Sequence, residues 1–200
     1  MFTGIIEAQG VVKALEKTEN LITLAVKCPG NFDDIKVGDS IANDGVCLTV
    51  IAIKGGCYYF DLMKETLEAT TLKHVVPGTV LNLERAMKAD ARLGGHFVTG
   101  HVDGVGRIRD ILTLPNYVEY RISAARDLMR YIVPKGSVAL DGISLTVGAV
   151  RKDWFAVYFI PHTLKVTSIG AKKTGAEVNI ETDLLAKYIL KSAVFKPTRG

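Results

Sequence analysis

Short runs in which apolar and polar residues alternate cover most of the chain, the period of two expected of strands with one buried face. In the first half these runs fall at residues 4–15, 22–26, 40–42, 47–53, 58–62 and 80–83. Turn residues separate them at Pro29-Gly30, Gly38-Asp39, Asp44-Gly45, Gly55-Gly56 and Pro77-Gly78, supplying the fixed or positive φ that turns require. Lys54-Gly55-Gly56-Cys57 reads as a hairpin turn. Six short strands with close turns predict a closed barrel, which has no edges to protect. The second half repeats the pattern at residues 100–113, 118–122, 137–139, 144–151, 154–159 and 177–180. Short helices are expected at 65–71, 126–132 and 162–167. From residue 183 the period changes: Asp183 can cap a helix reaching residue 194, with Leu184, Leu185, Tyr188, Ile189 and Ser192 on one face.

The two halves are copies. Asp44-Gly45-Val46-Cys47-Leu48-Thr49-Val50 returns 97 residues later as Asp141-Gly142-Ile143-Ser144-Leu145-Thr146-Val147. The same shift carries Glu65-Thr66-Leu67 onto His162-Thr163-Leu164, and Leu81-Asn82-Leu83-Glu84 onto Val178-Asn179-Ile180-Glu181. A shift of 96 maps Phe2-Thr3-Gly4-Ile5 onto Val98-Thr99-Gly100-His101. Such self-similarity predicts two homologous domains, at residues 1–96 and 97–182, followed by an oligomerisation helix and tail at 183–200. The fold class expected is all-β: two six-stranded barrels in tandem plus a C-terminal helix.

Composition narrows the function. The net charge of +4 is dispersed and no basic run exceeds two residues, as at Lys172-Lys173, so nucleic acid is not an expected partner. Three cysteines without a CxxC pair fit reduced thiols in a cytoplasmic protein, not a disulfide framework or zinc site. No metal is implied, and no apolar run approaches a membrane span.

Differences between the copies mark candidate chemistry. Cys47 and Ser144 occupy equivalent places, each with a hydroxyl two residues on, Thr49 and Thr146, on the same strand face. A small buried thiol and threonines serving the backbone are the plainer reading. His101 replaces Ile5, introducing a group that exchanges protons near neutral pH, and Gly100 before it suits close approach of a ligand. His74, His96 and His162 rank as ordinary histidines. Lys135 could supply a fixed positive charge.

The opening Met1 to Glu7, both DG-containing motifs, the run Phe60 to Leu67 and the stretch Gly94 to Val102 together resemble riboflavin synthases of the alpha-chain type, across nearly the whole chain. The resemblance implies Greek-key barrels, a homotrimer built by the C-terminal helix, association with lumazine synthase and no cofactor. It implies conversion of two 6,7-dimethyl-8-ribityllumazine molecules into riboflavin and 5-amino-6-(D-ribitylamino)uracil. The N-terminal ligand surface it implies comprises Gly4, Ile5, Ile6, Cys47, Leu48, Thr49, Asp61, Leu62, Met63, Lys64, Glu65 and Thr66. The C-terminal one comprises Gly100, His101, Val102, Lys135, Ser144, Leu145, Thr146, Ile160, Pro161, His162, Thr163, Leu164 and Lys165. His101 is the proton-transfer candidate, with Cys47, Ser40, Ser144 and Thr146 assisting. A non-catalytic lumazine or flavin carrier is the rival reading. A flavin reductase would need a dinucleotide-binding domain, and no Gly-rich strand-to-helix turn is visible.

Overall fold

The computed structural model describes residues 1–18 and 21–194. Among them, the first six strands are β1 (Ala8–Lys17), β2 (Leu21–Lys27), β3 (Ser40–Asn43), β4 (Val46–Lys54), β5 (Cys57–Met63) and β6 (Val80–Arg85). The next six are β7 (Gly104–Thr113), β8 (Val118–Ser123), β9 (Ser137–Leu140), β10 (Ile143–Val150), β11 (Trp154–Phe159) and β12 (Glu177–Thr182). Helices α1 (Lys64–Ala69), α2 (Arg126–Met129), α3 (Pro161–Val166) and α4 (Leu184–Val194) complete the regular structure. The first set closes antiparallel in the order β1-β2-β5-β4-β3-β6, and the second repeats it as β7-β8-β11-β10-β9-β12. These are the two barrels expected from the repeat, in the Greek-key order that the resemblance implies.

Alternation decides what fills each barrel. In β5, Tyr58, Phe60 and Leu62 are buried while Tyr59 and Asp61 between them stay half-exposed. Leu24, Ile41, Phe60 and Leu83 centre the first core, and Ile122, Phe155, Phe159 and Ile180 the second. Full burial of each such side chain is worth about 1.5–3 kcal/mol. The β4–β5 hairpin turns at Gly55 and Gly56, with φ of +58° and +70°, and Lys54 pairs with Cys57 as its sequence predicts.

Several elements are shorter than their sequence pattern suggests. The strand expected from residue 4 begins at Ala8, because Glu84 takes the place of a neighbouring strand. Its Oε1 accepts from Thr3 N (2.6 Å) and Thr3 Oγ1 (2.8 Å), and its Oε2 from Gly4 N (3.0 Å). Glu181 does the same for Thr99 and Gly100, so the strand expected from residue 100 begins at Gly104. The helix expected at 65–71 ends at Ala69. Thr70 then caps a 3₁₀ turn at Thr71–His74 by accepting from Leu72 N at 3.3 Å. The helix expected at 126–132 stops at Met129, and that at 162–167 runs over Pro161–Val166. No described helix is long and apolar enough to cross a membrane.

The barrels meet at a pseudo-twofold junction made by the aspartate and glycine of each repeated motif. Asn82 Nδ2 donates to the Asp141 carbonyl (3.0 Å), and Asn179 Nδ2 to the Asp44 carbonyl (2.8 Å). Each aspartate side chain accepts from the amide of the asparagine in its own barrel, Asp44 from Asn82 and Asp141 from Asn179. Gly45 and Gly142 lie so close that a Cβ on Gly45 would stand 2.6 Å from Gly142 N. Lys172, which the repeat places on Val75, breaks the symmetry by donating to Asp141 Oδ2 at 2.6 Å. Burial first, then the Asp141 carboxylate, push the Asp44 pKa up to about 7 against the pull of Lys172. Burial opposes the Lys172 charge, but Asp141 and Asp44 together outweigh it and hold that pKa above its ordinary value.

Candidate active site

Each barrel leaves part of one strand edge open. β3 pairs with β4 from Ser40↔Thr49 to Asn43↔Val46, whereas β5 joins β4 only from Val50 onward. In the second barrel β9 pairs with β10 from Ser137↔Thr146 to Leu140↔Ile143, and β11 joins only from Val147. The stretches Cys47 to Thr49 and Ser144 to Thr146 therefore carry main-chain groups that no described strand covers. Outward from these edges stand Cys47 and Thr49 with Ser40 opposite, and Ser144 and Thr146 with Ser137 opposite. Leu48, Leu62 and Leu145, expected to touch ligand, are instead core side chains at 5%, 1% and 9% exposure. The period of two turns them inward, so only their backbone can face a ligand.

The arms before β1 and β7 cross between the barrels. Cys47 N donates to the Gly100 carbonyl (2.9 Å), and Ser144 N to the Gly4 carbonyl (2.8 Å). A Cβ on Gly100 would stand 2.5 Å from Cys47 Cβ, and one on Gly4 2.6 Å from Ser144 Cβ. These glycines thus serve the approach of the chain to itself, which corrects the expectation that Gly100 makes room for a ligand. The crossing also regroups the expected surfaces within one chain. Gly4 lies against Ser144, and Ile6 packs on the second core; Gly100 lies against Cys47, and Val102 packs on the first. Hence His101 belongs beside Cys47 and Ile5 beside Ser144, the reverse of the sequence grouping. A repeat identifies equivalent residues but not the copy on which an arm packs. Phe2 and Val98 pair with each other at the crossing (2.7 and 3.1 Å), above a small shared core with Ala42 and Ala139.

Ser144 has a partner that the repeat does not reveal. His96 Nδ1 lies 2.7 Å from Ser144 Oγ, while His96 Nε2 is buried with no hydrogen-bond partner among the described residues. Burial pulls the His96 pKa below its ordinary value, against a smaller upward pull from the Asp183 carboxylate. The 96-residue shift takes His96 to a position before Met1, so comparing the copies cannot single it out. His101 is exposed, its amide held by Thr99 Oγ1 at 3.2 Å.

The rims come from the segments after β5 and β11. Asp61 accepts from Thr23 Oγ1 at 2.7 Å; Met63, Lys64 and Glu65 are exposed and Thr66 half-buried. On the other rim Ile160, Pro161, His162 and Lys165 are exposed, Thr163 is half-buried and Leu164 packs on the second core. Lys135 is exposed at the turn before β9. A separate cavity of about 630 Å³ lies under the 86–94 segment and includes Ser40 and Ile5, but not Cys47, Thr49, Ser144 or Thr146.

Comparison with known proteins bears on this paired geometry. The Lumazine binding domain model matches twice, at residues 3–86 and 99–183. The chain is 44% identical to the riboflavin synthase of Actinobacillus pleuropneumoniae, covering 98% of this chain and 92% of that one. It is 41% identical to that of Bacillus subtilis, over 96% of this chain and 89% of that one. The chain belongs to the riboflavin synthase family. Crystal structures of LumP share the fold at 24% identity, covering 91% of this chain and 99% of LumP. The complex with 6,7-dimethyl-8-(1'-D-ribityl) lumazine superposes with a TM-score of 0.82, and that with riboflavin with 0.85. The two family matches correspond to the two barrels, each with one open edge and one crossing arm supplied by the other half.

Proposed function

We propose that this protein is a riboflavin synthase, an enzyme of riboflavin biosynthesis that transfers a four-carbon unit between two 6,7-dimethyl-8-ribityllumazine molecules. The products are riboflavin and 5-amino-6-(D-ribitylamino)uracil. The observation that carries this reading is the pair of equivalent open edges, in a chain 40–44% identical to riboflavin synthases along nearly its whole length. A reaction between two copies of one molecule suits two copies of one surface. Beyond the Cys47 and Ser144 amides, which the arms take up, the outward main-chain groups of Cys47 to Thr49 and Ser144 to Thr146 are matched in kind to the donors and acceptors of a pyrimidinedione edge. The hydroxyls of Thr49, Ser40, Thr146 and Ser137 add polar contacts, and the rims at Asp61 to Thr66 and Ile160 to Lys165 flank the ribityl chains.

In the reaction one lumazine loses a proton from its C7 methyl group and the other is attacked at C7. Holding two reactants in register lowers the barrier by roughly 7–11 kcal/mol, more than one acid or base supplies. The two surfaces differ in what they add. At the Ser144 surface, His96 with its proton on Nε2 accepts from Ser144 Oγ and makes that oxygen the stronger base; with the proton on Nδ1 it donates to the same oxygen. At the other, the Cys47 thiol and His101 stand beside the ring that is attacked. The exposed apolar side chains of α4 support a homotrimer, and the reading places the enzyme in the cytoplasm. The test is to incubate dialysed, chelator-treated protein with the lumazine and follow flavin absorbance. We expect one riboflavin per two lumazines consumed; binding without turnover would instead mark a carrier.

A further inference from the structure

Glu84 and Glu181 are both buried, and among the described residues neither carboxylate is paired with a cation. Such a charge is costly unless its hydrogen bonds are well formed. Each carboxylate accepts three, from the amide and hydroxyl of one threonine and the amide of the glycine after it. They measure 2.6, 2.8 and 3.0 Å at Glu84, and 2.6, 2.7 and 2.9 Å at Glu181. A neighbouring strand could satisfy these amides without burying a charge. What a carboxylate adds is convergence: two successive N–H groups point into one acceptor, and the chain must then turn over. Gly4 and Gly100 make that turn at φ of +77° and +81°, a conformation that a residue with a Cβ disfavours.

The turned-over carbonyls leave for the opposite barrel. Glu84 belongs to β6 of the first barrel, yet the Gly4 carbonyl that it orients accepts from Ser144 N of the second (2.8 Å). The Thr3 carbonyl on the same arm accepts from His96 N (3.1 Å). Glu181 belongs to β12 of the second barrel, yet the Gly100 carbonyl that it orients accepts from Cys47 N of the first (2.9 Å). Thr99 Oγ1, while donating to Glu181, accepts from His101 N at 3.2 Å. Ser144 and His96 are thus both held through one carboxylate, and Cys47 and His101 through the other. A carboxylate that only completed its own barrel would have no such bonds beyond the arm.

We propose that Glu84 and Glu181 are crossed positioning residues, the carboxylate of each barrel setting the reacting groups on the surface of the other. The effect on turnover rests on the synthase reading; the effect on the arms does not. The residue type follows from the bonds. Glutamine offers one acceptor oxygen and turns its amide N–H groups against the donors of the arm, and aspartate is one methylene too short to keep both glutamate positions. Neither surface is therefore complete without the other barrel, although each barrel closes on its own six strands.

The variants Glu84→Gln and Glu181→Gln separate the two halves. Alkylation by iodoacetamide, followed by mass at each cysteine, needs no substrate. In Glu181→Gln the half-buried Cys47 reacts about 5–10-fold faster, whereas in Glu84→Gln it keeps the parental rate. Cys28, which is buried, and Cys57, at the β4–β5 hairpin, keep parental rates in both and report an intact barrel. Amide hydrogen exchange reads the other half, rising at Ser144 and His96 in Glu84→Gln alone. Both variants lower kcat by about 10–10²-fold while KM changes by less than about threefold, because a displaced group costs the reaction more than it costs binding. The pH profile distinguishes them. Burial holds the His96 pKa down and the Asp183 carboxylate pulls it up. Loosening the Thr3 carbonyl admits water to the ring, so the acid limb of kcat moves up toward 6.5 in Glu84→Gln and stays parental in Glu181→Gln. Thr3→Val and Thr99→Val each remove one of the three bonds; they give the same crossed pattern at smaller size and replace a glutamine variant that does not fold. Parental Cys47 alkylation in both Glu181→Gln and Thr99→Val, or an equal rise from either carboxylate, would overturn the proposal. Should the parent protein form no flavin, the synthase reading falls by itself, and alkylation and amide exchange still decide whether the carboxylates act across the barrels.

Discussion

His96 is held with Nδ1 against Ser144 and Nε2 against no partner among the described residues, so its use as a base depends on its staying neutral. Burial lowers its pKa, and the folded protein therefore takes up this proton at a lower pH than the unfolded chain does. The stability that His96 contributes is full above the ordinary value of 6.5 and is lost as pH falls through the lowered one. The acid limb of the kcat profile should accordingly lie below pH 6.5. His96→Gln should reduce kcat by about 10²-fold with little change in substrate affinity; an unchanged kcat and profile would leave His96 as a packing residue. Thr49→Val and Thr146→Val should instead weaken lumazine binding, each by about 0.5–1.5 kcal/mol in a calorimetric titration. Residues differ in how far sequence reveals them. His101 stands out because the repeat puts Ile5 in its place, whereas His96 sits in the joining segment where no copy offers a comparison. Leu48 and Leu145 belong to a ligand motif by sequence, yet the period of two assigns their side chains to the core.

Most strands derive directly from alternation, β-branched content and turn residues, and β11 has the limits that its pattern predicts. The arms before β1 and β7 read as the starts of strands because they are equally extended. Their partner is a carboxylate, Glu84 or Glu181, about 80 residues away, and no local pattern reports such a partner. Helix α4 is visible from its change of period, and Asp183 caps it by accepting from Leu185 N at 3.0 Å. Its residues Leu185, Tyr188 and Ile189 are 60%, 68% and 66% exposed, an apolar face of the kind that pairs with another subunit. The helix is tied to the second barrel by Lys187 and Asp103 at 2.7 Å. The double variant Tyr188→Asp, Ile189→Asp should therefore convert the proposed homotrimer to monomers while both barrels remain folded. Sedimentation velocity checks this, and a variant that keeps the parental mass would exclude α4 from the interface. Truncation is a poorer test when it starts at Asp183, since that carboxylate also acts on His96.

At the scale of the whole molecule the repeat announces two barrels but conceals how they join. Sequence places both DG motifs at the ligand surfaces. In the fold their Asp and Gly residues build the junction, and only the succeeding Cys47 to Thr49 and Ser144 to Thr146 reach the open edges. The junction buries two carboxylates with one ammonium, an imbalance that arises because Lys172 stands where the first copy has Val75. A proton on Asp44 relieves it. Because the folded pKa of about 7 lies above the ordinary 3.8, the folded state binds this proton more tightly than the unfolded one. The stabilisation is full below about pH 4 and is lost as pH rises through 7. Asp44→Asn retains an acceptor for the Asn82 amide and removes the titration. The fall in melting temperature between about pH 5.5 and 8.5 should therefore be smaller in the variant than in the parent. Each pKa unit of displacement is worth about 1.4 kcal/mol, or roughly 3–6 °C in a chain of this size, within reach of scanning calorimetry. A parental pH slope in Asp44→Asn would place the titrating group elsewhere and leave the junction charge balanced without that proton.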